Sequence, residues 1–231
     1  MRPVDRGAWP LRDNGTPHVF AEYDEARGAL FDRIGEYCSF CERKINSSLA
    51  VEHVLSKHHH PTLERDWNNF LLACVNCNST KGHANVQLTD YFWPDRDNTA
   101  RAVLHGAAGI VKPAPGLNPA DAKRAQSTIV LVGLDKLPHK KPRRSDRRWQ
   151  HRKEAWEVAQ VARARIAQND TPHMRDLTVA LALEKGHWSI WMTVFADDRD
   201  MRQRLIAAFT GTATACFDAA TQPVPRAGGA L

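Results

Sequence analysis

Residues 35–44 read GEYCSFCERK, and residues 72–82 read LACVNCNSTKG. Each stretch holds two cysteines three positions apart, Cys38 with Cys41 and Cys74 with Cys77. In a reduced compartment such pairs hold metal more often than they form disulfides. A CxxC closes a tight knuckle that turns two sulfurs to one side, and four thiolates suit tetrahedral zinc. The two pairs are therefore expected to share one structural zinc ion. Four unrelated core cysteines would not show this matched spacing. A redox dithiol would sit in a βαβ pattern, which neither pair does. Cys216 lies far from both pairs and is expected to be a small buried apolar residue.

Residues 42–73 are too many for an ordinary finger linker, so this insert must carry structure of its own. It contains LAVEHVLSK at 49–57, a β-prone run with Glu52 and His53 inside it. It ends in DWNNFLLA at 66–73, with Asn69 five residues before Cys74. A strand at 70–73 can pair with one at 50–54. A helix beginning near Cys77 then carries Asn78 and Lys81 on adjacent turns. The expected module is two strands and a helix, closed by zinc.

This order of residues resembles the HNH endonucleases, whose ββα-metal fold has the same plan. The resemblance covers about residues 35–82 by motif. It implies that His53 is a general base and that Glu52 and Asn78 hold a catalytic Mg²⁺ or Mn²⁺. It implies that Asn69 braces the loop that orients the histidine. Two positions depart from the commonest pattern. Glu52 stands where aspartate is frequent, and Asn78 where histidine is frequent. Both still offer oxygen to a hard cation. Three flanking stretches, MRPVDRG at 1–7, WPDRDNTAR at 93–101 and GHWSIWMTVF at 186–195, resemble the HNH subunits of Septu-type and retron-linked antiphage systems. That resemblance implies an ATPase partner protein.

The chain has 231 residues, 42% of them hydrophobic, a formal charge of +6 and a pI near 9.2. Such a length supports one core, or a small module wrapped in a larger body. The basic balance favours a polyanionic partner. No leader and no run of eighteen apolar residues is seen, so a cytoplasmic protein is expected. Apolar spacing predicts a helix from Phe20 that Gly35 stops, one after Asn118-Pro119, one through Trp149 and Trp156, one after Thr171-Pro172, and one through Met201 to Phe209. HWSIWMTVF is compatible with strand or helix.

The expected fold class is α+β, a small ββα-metal module with a four-cysteine zinc site in a mainly helical body. Its divisions are a helical segment at 1–34, the module at 35–84, a loop-rich connector with one helix at 85–138, a helical region at 139–217 and a disordered tail at 218–231. The run HKKPRRSDRRWQHRK at 139–153 sets eight Lys and Arg against Asp146 alone. Its Arg143, Arg144, Arg147 and Arg148, with Lys57 and Lys81, are the expected nucleic-acid contacts. DNA is the favoured substrate. The same chemistry on RNA such as tRNA, and a non-catalytic zinc ribbon that binds nucleic acid or protein, are the alternatives.

Overall fold

A computed structural model describes residues 1–47, 49–137 and 146–231. Helix α1 (Ala26–Ile34) buries Ala26, Leu30 and Ile34, one residue per turn along one face. Its first turn is narrower than expected, because Tyr23–Glu25 winds as a 3₁₀ turn rather than as α-helix. Gly35 ends it at φ 73°, where its N–H still reaches the Phe31 carbonyl.

Strand β1 (Ala50–His53) runs antiparallel to β2 (Phe70–Ala73), with Val51 opposite Leu72 and His53 opposite Phe70. Two strands alone are marginal in water. Here α1 packs on both strands and α2 (Val75–Lys81) packs on β1, so every residue of β2 is buried. The Cys74 sulfur accepts the Cys77 N–H and so starts α2 at the knuckle.

The connector is more regular than expected. A short helix α3 (Thr99–Ala102) leads into a hairpin of β3 (Val103–His105) and β4 (Val111–Pro113). At its tip Gly109 has φ 71°, and a Cβ there would lie 2.2 Å from the Trp149 carbonyl oxygen. Only glycine lets the next long helix come this close. Asn118 caps α4 (Pro119–Leu131) by accepting the Asp121 N–H at 2.8 Å.

Helices α5 (Arg148–Gln168), α6 (Pro172–Lys185), α7 (Trp188–Val194) and α8 (Arg199–Ala208) form the helical body. Thr171 caps α6 through its hydroxyl. HWSIWMTVF resolves as helix, because Trp188, Trp191 and Val194 recur every third residue and share a buried face. Trp188, Trp191 and Phe195 fill the core of this body together with Ala155, Ala159, Leu205 and Phe209. Cys216 is buried, as expected.

Two of the three flanking stretches, 1–7 and 186–195, meet at Glu42 beside the first knuckle, and the third, 93–101, is tied to residues 1–7. Glu42, at φ 62°, is buried. Its carboxylate accepts the Arg2 N–H, the Ser189 N–H at 2.8 Å and the Ser189 hydroxyl at 2.6 Å. Val4 N–H donates to the Pro94 carbonyl at 2.7 Å, and Thr99 donates to the Met1 carbonyl at 2.9 Å. The flanks therefore frame the module.

Residues 218–231 are not a disordered tail. Asn98, wholly buried, donates to the Cys216 and Val224 carbonyls at 2.7 Å each. Arg226 donates to the Val4 and Pro94 carbonyls, Asp97 accepts the Ala230 N–H, and Leu231 is buried. The proline and glycine content that suggested disorder instead makes turns whose backbone is satisfied by distant side chains.

His187 opens α7 in the left-handed region, at φ 58°, with its N–H on the Glu42 carbonyl at 2.7 Å. Burial lowers its pKa to about 3; Glu42 opposes the shift, and Arg152, His105 and His151 add to it. An unfolded histidine titrates near ~6.5. Between those values the unfolded chain binds a proton that the folded chain does not. Stability is therefore expected to fall as pH drops from ~6.5 towards 3, by up to ~1.4 kcal/mol per pH unit from this group. Asparagine tolerates the same backbone region. Urea unfolding of His187→Asn at pH 6 and pH 5 should show a shallower acid loss than wild type. Equal slopes would reject the assignment.

Candidate functional site

The four cysteines of the knuckles meet. Their sulfurs all lie within 4.8 Å of one another, and Cys41 Sγ is 3.6 Å from Cys74 Sγ. A tetrahedron with metal–sulfur bonds of ~2.3 Å has edges of ~3.8 Å, so the set fits zinc. Both knuckles use the same local device, an N–H to sulfur bond from Cys41 to Cys38 and from Cys77 to Cys74. All four thiols are buried, and burial pushes Cys38 and Cys77 well above the ordinary thiol range. Only a bound cation makes buried thiolates favourable there. Four sulfurs leave no open position, so the site suits a structural role. Among the described residues it is the one cluster of this kind.

A second site lies between β1 and α2. A cleft of about 510 Å³ is lined by Glu52, His53, Lys57, Asn78, Lys81 and His83, with Tyr23 at its edge. His53 is 8% exposed. Its Nε2 lies 2.8 Å from the Glu64 carbonyl, which can only accept, so Nε2 carries the proton. In the neutral ring the lone pair is then on Nδ1. The rings of Tyr23 and Phe70 meet the imidazole at 5.0 and 5.3 Å. Burial holds the His53 pKa below its ordinary value, with Lys57 and Lys81 acting the same way and the Glu64 carbonyl against it. The imidazole is neutral at physiological pH.

Asn69 holds the loop that supplies that carbonyl. Its Oδ1 accepts the Leu55 N–H at 2.7 Å, and its Nδ2 donates to the Leu55 and Leu63 carbonyls at 2.9 and 3.2 Å. Both ends of the loop between β1 and β2 are thereby tied to one buried amide. Asn78 stands half-buried on α2 at the cleft, free of the strand ladder.

Lys81 is neither a solvated helix residue nor an exposed phosphate contact. It is 3% exposed, and its ammonium meets Glu52 Oε1 at 2.7 Å and the His53 carbonyl at 2.6 Å. The aliphatic stem crosses from α2 to β1, so the charge sits beside the carboxylate instead of in solvent. Burial raises the Glu52 pKa, and Lys81 offsets part of the rise. Lys57 remains on the rim, paired with Glu64 at 2.7 Å and lying 4.2 Å from the Tyr23 ring centroid.

Arg148 is not a nucleic-acid contact. It is 2% exposed and donates to Cys77 Sγ, the Val132 and Gly133 carbonyls and the Asp146 carboxylate. The first turn of α5 points inward here, which charge density alone does not reveal. Arg147, one residue earlier, is exposed. Arg143 and Arg144 lie outside the described residues.

Three contributors to the cleft escaped the sequence reading. Glu64 acts through its carbonyl, which no residue type announces. Tyr23 lay in an apolar pattern that reads as core. His83 follows Gly82, and its ring stands 5.3 Å from that of His58, the residue after Lys57.

These two sites, a closed tetrathiolate centre and an open cleft with a neutral histidine, are carried by one short ββα segment. Residues 37–84 match the family model of HNH endonucleases. The match spans both knuckles, both strands and α2, and leaves the helical body outside it. The chain thus contains an HNH domain, which implies a nuclease-type function with a metal site. Comparison with characterised proteins gave no match to this chain. Among the described residues no helix is long and apolar enough to cross a membrane.

Proposed function

We propose that the chain is a metal-dependent HNH endonuclease that hydrolyses phosphodiester bonds of DNA. The observation that carries this is His53. It is a neutral imidazole fixed through Nε2 in an open cleft, which leaves Nδ1 to take a proton from an attacking water. Glu52 and Asn78 are the proposed holders of Mg²⁺ or Mn²⁺, and Asn69 positions the loop behind the base. Lys81 occupies one Glu52 oxygen and leaves the other for a cation. When bound, a divalent ion there would stabilise charge on the phosphate and the departing oxygen. One carboxylate, one amide and water is an ordinary Mg²⁺ shell. Lys57, the exposed Arg147 and the basic run with Arg143 and Arg144 are proposed to hold the phosphate backbone, which explains the excess positive charge. Backbone contacts do not choose between DNA and RNA, so RNA such as tRNA stays as the second substrate class.

In this reading residues 35–84 are the catalytic module and the rest of the chain is its frame. The flanking stretches support a role as the effector of a cytoplasmic antiphage system of the Septu or retron-linked type. An ATPase protein would restrain it. An apolar groove of about 350 Å³ between α5 and α6, bordered by the exposed Val161, Leu177 and Leu181, is the proposed docking face for that partner.

The pure chain, incubated with supercoiled plasmid and separately with total RNA, tests the reading. Cleavage of plasmid with Mg²⁺ or Mn²⁺, abolished by chelator, is expected. Cleavage of RNA alone would move the substrate to the second class. No cleavage of either would leave the non-catalytic zinc module.

A further inference from the structure

We infer that Arg148 and Arg152 are the counter-charges of the zinc–thiolate centre, and that metal loading is what docks α5 on the HNH domain. The inference rests on the four cysteines taking zinc and is independent of the nuclease reading.

Both arginines lie on the first two turns of α5, four residues apart and therefore on one face. They are 2% and 1% exposed. A buried cation is unfavourable unless an opposite charge stands near it. Arg148 has one such charge in Asp146, at 2.7 Å, and also donates from Nη1 to Cys77 Sγ at 3.0 Å. Arg152 has no carboxylate within ion-pair reach among the described residues. Its Nε and Nη2 donate to the Gly109 and Leu134 carbonyls at 2.8 and 3.0 Å, and its Nη1 is buried without a partner. Two carbonyl dipoles do not neutralise a full charge. Arg152 stands one turn after Arg148, and the two Nη2 atoms take the successive carbonyls of Gly133 and Leu134, so its guanidinium lies beside the one that bonds Cys77 Sγ. A zinc ion held by four thiolates keeps about two units of negative charge. That charge, in the same buried layer, is what Arg152 answers.

The consequence is a coupling between metal and architecture. The carbonyls that position the two guanidiniums belong to the β3–β4 tip and the end of α4: Gly109, Val132, Gly133 and Leu134. Next to the first knuckle, Glu42 holds the start of α7. Removal of zinc takes away the ion that would gather the four sulfurs, and with it the seat of the Arg148 guanidinium on Cys77. The start of α5 is then expected to leave its seat as the knuckles open.

Zinc affinity of the full chain is measured by competition with a chromogenic chelator. Outer-shell partners typically change metal affinity by ~10–100-fold, and R152M is expected to weaken zinc binding by that factor. R152K keeps the charge and is expected to bind near wild type. R165M, an exposed site on the same helix, is expected to bind as wild type. R152M binding as tightly as wild type would overturn the inference. Equal weakening in R152M and R152K would assign the effect to packing and overturn it too. Hydrogen exchange on the wild-type chain needs no variant to fold. Chelator treatment should release residues 148–155 together with the knuckles, and retained protection there would contradict the coupling. A wild-type chain that binds no zinc at all would instead remove the premise.

Discussion

His53→Ala is expected to lower phosphodiester hydrolysis by ~10²–10⁴-fold while leaving fold and zinc content intact. The loss follows from position. His53 is the neutral imidazole in the cleft whose remaining nitrogen is free to accept a proton. Its removal deletes the base without touching a thiolate. The packing loss is confined to the edges of Tyr23 and Phe70 and to one carbonyl contact. Circular dichroism and zinc content should therefore match wild type. Asn69→Ala, by contrast, frees the Leu55 and Leu63 backbone groups and should reduce activity and stability together. A His53→Ala variant that cuts at the wild-type rate would remove the histidine from its assigned role.

Cys74→Ser is expected to lose zinc and unfold the HNH domain. Structural zinc supplies an apparent ~10–16 kcal/mol in small zinc modules, against a usual domain stability of ~5–15 kcal/mol. The serine oxygen is both shorter in reach and a poorer zinc ligand than a thiolate. Cys74 also starts α2, through the Cys77 N–H on its sulfur. The damage should spread outward, since Arg148 leans on Cys77 and Glu42 holds the first knuckle to the start of α7. Metal analysis and circular dichroism on the soluble fraction check this. A native variant with one full zinc equivalent would contradict it.

The module was legible in the sequence because its constraints are local. Two CxxC units bring four sulfurs into a cluster that could hold a metal, β-prone runs beside them impose the strands, and the gap between them leaves room for a hairpin. Glu52, His53 and Asn78 were singled out through the resemblance to HNH endonucleases, and the structure brings all three to one cleft. Lys81 and Arg148 were misread because a basic residue on a helix is solvated in most settings. What buries them is tertiary: the Glu52 carboxylate across the sheet in one case, and the knuckle sulfur with the end of α4 in the other. The β3–β4 hairpin was hidden by its short strands, and residues 218–231 by their composition. Asn98 and Asp97, far away in sequence, supply the order that composition did not suggest. The carbonyl of Glu64 is illegible in principle, because every residue carries one.

Whether His53 is the base of a nuclease is decided by cleavage itself. Wild type and His53→Ala, both zinc-loaded, are incubated with supercoiled plasmid, and separately with total RNA, in Mg²⁺, with and without chelator. Nicked and linear plasmid is expected from wild type in Mg²⁺ without chelator. Intact plasmid and intact RNA with the wild-type protein, or cleavage that survives His53→Ala unchanged, would contradict that role.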